Sequence, residues 1–282
     1  MNKNYLFFGT PHFADIILKT LIEAGFQPSV VICNPDRPVG RKKIITSPPT
    51  KIRAQENNIP VLQPANKKEL TAILKTLQSY QAEFAVVAAY THIIESIILN
   101  LPTKGTLGIH PSLLPKYRGA TPIQSVLLAG ETKTGVTIYK LDDEVDHGEV
   151  LAQEEINLQP KETYATLEEK LAVLGANTLV KNIAAYLDET LSLQTQNHSL
   201  ATFTKKFSTA DGEVFFGLEN LSAIYNKIRA LNPEPGTFSQ NLPGYIGLRV
   251  KLLSATYKNQ KLVITKIHIA GKTPQETNLI IA

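Results

Sequence analysis

His110 opens the run His110-Pro111-Ser112-Leu113-Leu114-Pro115, and Asp146-His147-Gly148 follows farther along the chain. An imidazole titrates near pH 6.5 when unperturbed, so His110 can give or take a proton close to neutrality. A carboxylate brought alongside would orient the ring and favour its charged form. Pro111 and Pro115 stiffen the backbone between them, while Ser112, Leu113 and Leu114 can offer main-chain polar groups and an apolar wall to a flat ligand. Gly108, two residues before His110, contributes no side chain where such a site would use a hydrogen-bond donor. Taken alone, a histidine at a strand end is more often structural than catalytic, so the reading depends on what the fold places beside it.

A second group is basic. Asn34-Pro35-Asp36-Arg37-Pro38-Val39-Gly40-Arg41-Lys42-Lys43 continues to Lys51 and Arg53. Two prolines and a glycine argue against helix, so these cations are expected on a long loop after a strand end. Phosphates or an RNA backbone are suitable counterparts. Gly9-Thr10-Pro11-His12-Phe13-Ala14 reads as a glycine turn from strand to helix and lacks the three-glycine dinucleotide spacing. Thr121 followed by Pro122 predicts a helix start with Thr121 as N-cap.

The elements needed to position these residues are legible as alternation. Residues 5–9, 30–34, 84–89 and 106–110 read as strands, and 13–24, 50–57, 67–78 and 93–99 as helices. Such alternation indicates an α/β, Rossmann-like and mostly parallel sheet, with sites at the carboxyl ends of its strands. Residues 134–141 and 150–158 read as two further strands around the loop 142–148, and 164–187 as a long helix. The stretch 188–203 is polar and rich in Gln, Ser and Thr, as expected of a surface linker. Beyond it lie one helical segment, 221–231, and short β-like runs at 214–216, 248–255 and 262–269. The expected organisation is a catalytic domain over 1–188, a linker over 189–205 and a smaller β-rich domain over 206–282.

Composition narrows the class. The chain has 282 residues, 43% hydrophobic and 19% charged, with a formal charge of +4. It is long for one domain and apolar enough for a sizeable core. No apolar run approaches the roughly 20 residues of a membrane span, and Met1 to Asn4 lead straight into Tyr5-Leu6-Phe7-Phe8 without a signal-peptide layout. The expectation is a soluble cytoplasmic protein. Cys33 is the only cysteine, which excludes an intrachain disulfide and a cysteine-based zinc cluster; its neighbours Val30-Val31-Ile32 mark it as a buried strand residue. His12, His92, His110, His147, His198 and His268 show no metal-ligand spacing, so no metal is expected.

The segments 9–11, 34–41, 110–119 and 146–148 resemble, in the same order, the motifs of methionyl-tRNA formyltransferases, and Ile228-Arg229-Ala230-Leu231-Asn232-Pro233 resembles that family's C-terminal domain. The Ser112–Pro115 run with Asp146 is similar in all folate-dependent formyltransferases, whereas the basic loop and the C-terminal segment point to the tRNA enzymes. The resemblance implies the formyltransferase fold with an OB-like C-terminal domain. It further implies transfer of a formyl group from 10-formyltetrahydrofolate to the α-amine of methionyl initiator tRNA. Under it, His110 stabilises the developing oxyanion and moves protons, Asp146 holds His110 and helps relay protons, and Ser112, Leu113, Leu114, Pro115 and Tyr90 line the folate site. Arg37, Arg41, Lys42 and Lys43 meet the acceptor end of the tRNA. Lys227 and Arg229, with Arg249, Lys251, Lys258 and Lys261, hold its backbone. The implied partners are initiator tRNA and folate, with no DNA or membrane, and the implied state is a monomer.

The sequence departs from the family pattern at Gly108, where the family has asparagine; loss of one donor in a comparable oxyanion site costs about 100- to 1000-fold. Smaller departures are Thr91, usually glycine, and Glu234, often tryptophan. Two other functions are compatible with the motifs. A sugar-nucleotide amine formyltransferase would use the same His110 and Asp146 without needing the basic loop, and a non-catalytic tRNA or folate binder would explain Gly108 directly.

Overall fold

The computed structural model describes residues 4–40 and 42–281. Its first elements are β1 (Tyr5–Gly9), α1 (His12–Glu23), β2 (Val30–Ile32), β3 (Arg37–Val39), β4 (Ile44–Thr46), α2 (Pro49–Glu56), β5 (Val61–Leu62), α3 (Lys67–Ala72) and α4 (Leu74–Ser79). There follow β6 (Phe84–Ala88), α5 (Ser96–Leu99), β7 (Thr106–His110), α6 (Pro122–Ala129), β8 (Lys133–Lys140), β9 (Val150–Asn157) and α7 (Tyr164–Leu187). The last are β10 (Glu213–Val214), α8 (Leu221–Leu231), β11 (Phe238–Ser239), β12 (Val250–Lys258), β13 (Lys261–Ile269) and β14 (Gln275–Ile281). Among the described residues no helix is long and apolar enough to cross a membrane.

The chain forms two compact units. The first comprises Met1–Arg118, Gly135–Glu155 and Glu168–Thr202; the second comprises Gly119–Thr134, Ile156–Leu167 and Phe203–Ala282.

In the first unit the sheet order is β5-β2-β1-β6-β7-β8-β9. Strands β5, β2, β1, β6 and β7 are parallel, and β8 is antiparallel to β7. The strands β1, β2 and β7 are buried along their whole length, which is why they read as continuous apolar runs rather than as alternation. The chain leaves β1 for β2 on one side and later returns through β6 on the other, so a crevice opens beyond the carboxyl ends of β1 and β6. His110 ends β7, next to β6. Helix α7 covers the opposite face of the sheet: its buried Leu171, Ala172, Ala176, Leu179 and Ile183 recur at helical spacing, and Gly175 lets it approach Ile109 and Val136. Because side chains alternate along a strand, Ile109 points to that helix and His110 away from it.

The second unit has a sheet of order β10-β11-β12-β13-β14, with a core that includes Val214, Ile224, Ile228, Val250, Leu252, Leu262, Ile264 and Ile267. Helix α8 supplies Ile224 and Ile228 to that core from one face.

Several elements differ from the sequence reading. The segment 67–78 is two helices, α3 and α4, broken at Ile73; the apolar spacing of Leu70, Ile73, Leu74 and Leu77 runs unbroken across the break. Residues 93–95 lie outside α5 and Ile93 is exposed. The basic segment is a hairpin, with β3 and β4 antiparallel and Pro38 opposite Ile45. Pro38 is tolerated because a two-stranded ribbon leaves an edge that needs no N–H, and Gly40 and Lys43 supply the left-handed turn. Strand β14 is too polar to read as a strand. Thr121 does stand at the N-cap before Pro122, but its hydroxyl donates to Lys205 O instead of capping.

Candidate active site

His110 is 6% exposed, and its Nε2 lies 2.9 Å from the carbonyl oxygen of Tyr117. A carbonyl only accepts, so Nε2 carries a proton. The other ring nitrogen, Nδ1, faces Asp146 Oδ2 at 3.6 Å. Were the ring neutral, its Nδ1 lone pair would confront the carboxylate. The contact is attractive when a proton lies between them, on the ring or on the carboxyl group.

Asp146 sits in an unusual backbone conformation, φ +51°, which is costly for a residue with a side chain and is kept only when the surroundings enforce it. The enforcement is visible. Gln196 donates from Nε2 to the carbonyls of Asp146 (2.9 Å) and Gly148 (2.7 Å), and Arg118 fixes Gln196 through bonds of 3.2 and 2.6 Å to its Oε1. Gly148 closes the loop against β8: a Cβ there would stand 1.8 Å from Lys140 O, so no other residue fits without moving the strand. His147 turns away to Asp142 Oδ2 (2.7 Å) and stacks on His198 with ring centroids 4.0 Å apart, as a neighbour of the pair and not a member.

The run after His110 is held from within by Thr137, fully buried on β8 directly opposite His110. Its hydroxyl donates to Ser112 O (2.7 Å) and accepts from Leu114 N–H (3.0 Å) and Gln153 Nε2 (2.9 Å). Gln153 also donates to Leu114 O at 2.7 Å. The Ser112 hydroxyl is used internally, donating to Lys116 O, and both Ser112 and Leu114 are buried. These two side chains therefore shape the loop from within, while Leu113 and Pro115 are half-exposed.

Gly108 is directly opposite Tyr139 across β7 and β8. A Cβ at Gly108 would stand 2.4 Å from Tyr139 Cε1 and 2.7 Å from Leu141 Cδ1, so the space of the missing side chain is filled by the tyrosine ring. The Tyr139 hydroxyl donates to Asp146 Oδ1 at 2.6 Å. Burial first, and then the neighbouring Asp146 charge, push its ionisation well above the ordinary tyrosine range, so it stays a donor.

A cleft lined by Leu99, Asn100, Lys140, Leu141, Asp142, Asp143, Gly148 and Glu149 adjoins this loop. Leu141 links it to the Gly108 face. Tyr90, just beyond β6, packs on the same apolar cluster as Leu141 and edge-on to Phe8 and His92. Its hydroxyl, like Asn34 Oδ1 and His92 Nε2, is buried without a hydrogen-bond partner.

The basic residues divide into two kinds. Arg37, Lys42 and Lys43 are exposed on and around the β3–β4 hairpin, which also carries exposed Val39, Ile44 and Ile45. Arg41 lies outside the described residues. Lys51 and Arg53 are structural: Lys51 bonds Asp36 at 2.8 Å and Arg53 bonds Asp15 at 3.0 Å. Asp36 also accepts from Ser47 and Gln63, and these bonds hold its carboxyl down at about 2.

In the second unit two of the cations named for the RNA face are engaged within the protein. Arg229 is 8% exposed, with its guanidinium bonded to Glu162 O, Leu127 O and Asn226 Oδ1 and placed over the Tyr225 ring, so it braces the fold from within. Lys227 is half-buried and bound by Glu219 (2.7 Å) and Glu213 O (2.9 Å), so its charge is already answered. The helical periodicity of 221–231 gave their positions but not which cations turn inward. Arg249, Lys251, Lys258 and Lys261 are exposed.

Sequence reasoning did not find Tyr139, Thr137, Gln153 or Gln196. The first three were within reach, since β8 and β9 were read as strands flanking the Asp146 loop and alternation puts Thr137 and Tyr139 on one face. Gln196 had no signal, because it stands in a polar stretch and acts over fifty residues of separation.

Residues 3–183 match the formyl transferase family model. The methionyl-tRNA formyltransferase of Chloroflexus aurantiacus is 42% identical over 234 residues, 83% of this chain and 75% of that protein. That of Staphylococcus epidermidis is 34% identical over 95% of this chain and 92% of its own, so the similarity extends through the second unit. Among solved structures, methionyl-tRNA formyltransferase from Clostridium thermocellum superposes with a TM-score of 0.63 at 19% identity, over 95% of this chain and 98% of that one, which is likeness of fold. With sequence similarity of this extent, the chain belongs to the methionyl-tRNA formyltransferase family.

Proposed function

We infer that the chain transfers a formyl group from 10-formyltetrahydrofolate to the α-amine of methionine on initiator tRNA. The observation that carries the chemistry is the pair His110 Nδ1–Asp146 Oδ2 at 3.6 Å, with the ring's other nitrogen committed to Tyr117 O. Attack by a neutral amine on a formyl carbon builds negative charge on oxygen, takes a proton off the attacking nitrogen and returns one to the leaving nitrogen. His110 with both nitrogens protonated offers the charge the oxyanion needs, and Asp146 accepts the amine proton and passes it on. Burial of the pair strengthens each of these interactions.

The residues present suit a folate co-substrate. The cleft beside Asp142 has apolar walls in Leu99 and Leu141 with carboxylates at its rim, and Tyr90 keeps an unpaired hydroxyl on the same cluster, a combination that suits a flat heterocycle with polar edges. The co-substrate supplies the formyl group; the protein supplies orientation and protons. Leu113, Pro115 and Tyr90 are the side chains we assign to it. On the RNA side we assign Arg37, Lys42, Lys43 and Arg41, with Arg249, Lys251, Lys258 and Lys261 of the β-rich region 206–282 acting as a tRNA-binding domain.

The test is a formyl-transfer assay with charged initiator tRNA and, in parallel, an amino-sugar nucleotide. Formylmethionyl-tRNA formed by wild type, with His110→Ala reduced by about 100- to 10000-fold, is the expected result. Product on the sugar alone, or none on either acceptor at high enzyme, would overturn the assignment.

A further inference from the structure

Gly108 is in the middle of a fully buried strand, where a glycine weakens the strand and usually marks a close approach by another group. The group here is the ring of Tyr139, its cross-strand partner. On the same face, two residues along, is His110. The ring runs over Gly108 and its hydroxyl reaches Asp146 Oδ1, while the other oxygen of that carboxylate faces His110.

We propose that Gly108 and Tyr139 form one device, in which the missing side chain makes room for a ring whose hydroxyl clamps Asp146 in register with His110. Tyr139 is thus a positioning residue: it acts on the reaction through the carboxylate. The inference rests on the formyl-transfer reading for its kinetic readout and on packing alone for its structural one.

Three features support it. The hydroxyl donates at 2.6 Å to a charged acceptor, the stronger kind of hydrogen bond. Tyr139 is 6% exposed, so water does not replace that bond freely. Asp146 has a left-handed backbone, and the tyrosine hydroxyl fixes Oδ1 of its carboxylate from the side-chain end. Burial, and after it the Asp146 charge, keep the hydroxyl protonated, with Asp142 adding to the effect and Arg118 opposing it.

The same geometry changes what a side chain at position 108 would do. Gly108→Asn alone does not restore a donor. Its Cβ meets the ring edge at 2.4 Å, and the ring is pinned at its far end by Asp146, so it cannot swing aside cheaply. Leu141, the other close neighbour, meets the Cβ with a flexible methyl and can move.

The experiment is a set of four variants assayed for stability and for kcat and KM on charged tRNA and folate. Tyr139→Phe keeps the ring and removes the hydroxyl; its melting temperature should fall by only the few degrees that one charge-assisted bond is worth, with KM values near wild type while kcat falls about 10- to 100-fold. Gly108→Asn and Tyr139→Ala should each be destabilised, and Gly108→Asn/Tyr139→Ala should be more stable and at least several-fold more active than Gly108→Asn. A Tyr139→Phe enzyme with wild-type kcat would overturn the clamp. Additive effects of the two changes on stability would overturn the pairing. Wild type inactive on charged tRNA is a different result, which removes the proposed function while the stability cycle still decides the pairing.

Discussion

Thr137 offers the sharpest test of how the ligand-facing loop is held. Its hydroxyl donates to Ser112 O and accepts from Leu114 N–H, both in a site from which solvent is excluded. Thr137→Val keeps the shape of the side chain and removes the oxygen. Two buried backbone groups then lose a partner, while Gln153 keeps its bond to Leu114 O. A buried group left unsatisfied costs about 1–3 kcal/mol, so two give roughly 2–6 kcal/mol before the loop relaxes. With relaxation, about 2–4 kcal/mol is expected, a large part of the 5–15 kcal/mol that separates folded from unfolded protein. At roughly 2–4 °C per kcal/mol for chains somewhat shorter than this one, the melting temperature should fall by about 4–16 °C.

Calorimetry of Thr137→Val beside Thr137→Ser measures this directly, because serine retains the oxygen and loses only a methyl group. The valine variant should also show a raised KM for folate, since Leu113 and Pro115 depend on the loop, with a smaller change in KM for tRNA. A valine variant that melts within about 1 °C of wild type, with folate KM unchanged, would mean that the loop is held by something other than the Thr137 hydroxyl.

Three further outcomes are expected. Replacing Arg37, Lys42 and Lys43 by alanine should weaken tRNA binding and lower the slope of log affinity against log salt by about 0.7–0.9 for each phosphate no longer neutralised, with folate KM unchanged; an unaltered slope would remove the hairpin from the RNA surface. Asp36 joins the two ends of that hairpin through Ser47, Lys51 and Gln63, and its carboxyl is depressed to about 2, chiefly by the Gln63 and Lys51 bonds. A depressed carboxylate stabilises the fold above its unfolded value near 4 and loses that effect as pH falls towards 2, so hydrogen exchange over residues 36–47, corrected for intrinsic rate, should accelerate across that window and already be fast in Asp36→Asn at neutral pH. Cys33 is fully buried, and burial pushes its thiol up to about 11, so a thiol reagent should not modify it in native protein at pH 7.5 and should do so on unfolding.

What was legible in the sequence was whatever depends on local pattern. Strands β1 and β7 and helices α7 and α8 were read to the residue because uniform burial, or an amphipathic stripe, writes itself into spacing. His110 and Asp146 could be nominated as partners because a motif names both. The hairpin of β3 and β4 was hidden by Pro38, which forbids an inner strand but not a free ribbon edge. The inward turn of Lys51, Arg53, Lys227 and Arg229 was hidden for another reason. A cation's fate depends on which carboxylates and carbonyls reach it from other segments, such as Asp15 for Arg53 or Glu162 for Arg229, and no window around the residue contains that information.

Gly108 illustrates the same limit in its strongest form. Read along the chain, a glycine two residues before the histidine is the loss of one hydrogen-bond donor. Read across the sheet, it is the only residue that leaves room for Tyr139, and the tyrosine brings a donor to the carboxylate that faces His110. The cost of glycine in β7 is then local and small, about 0.5–1 kcal/mol, and it is offset by burying an aromatic ring against the strand. The gain is a fixed orientation of the carboxylate that faces His110. Asp146 is fixed from its backbone by Gln196 and from its side chain by Tyr139, so the carboxylate that faces His110 is held from two directions.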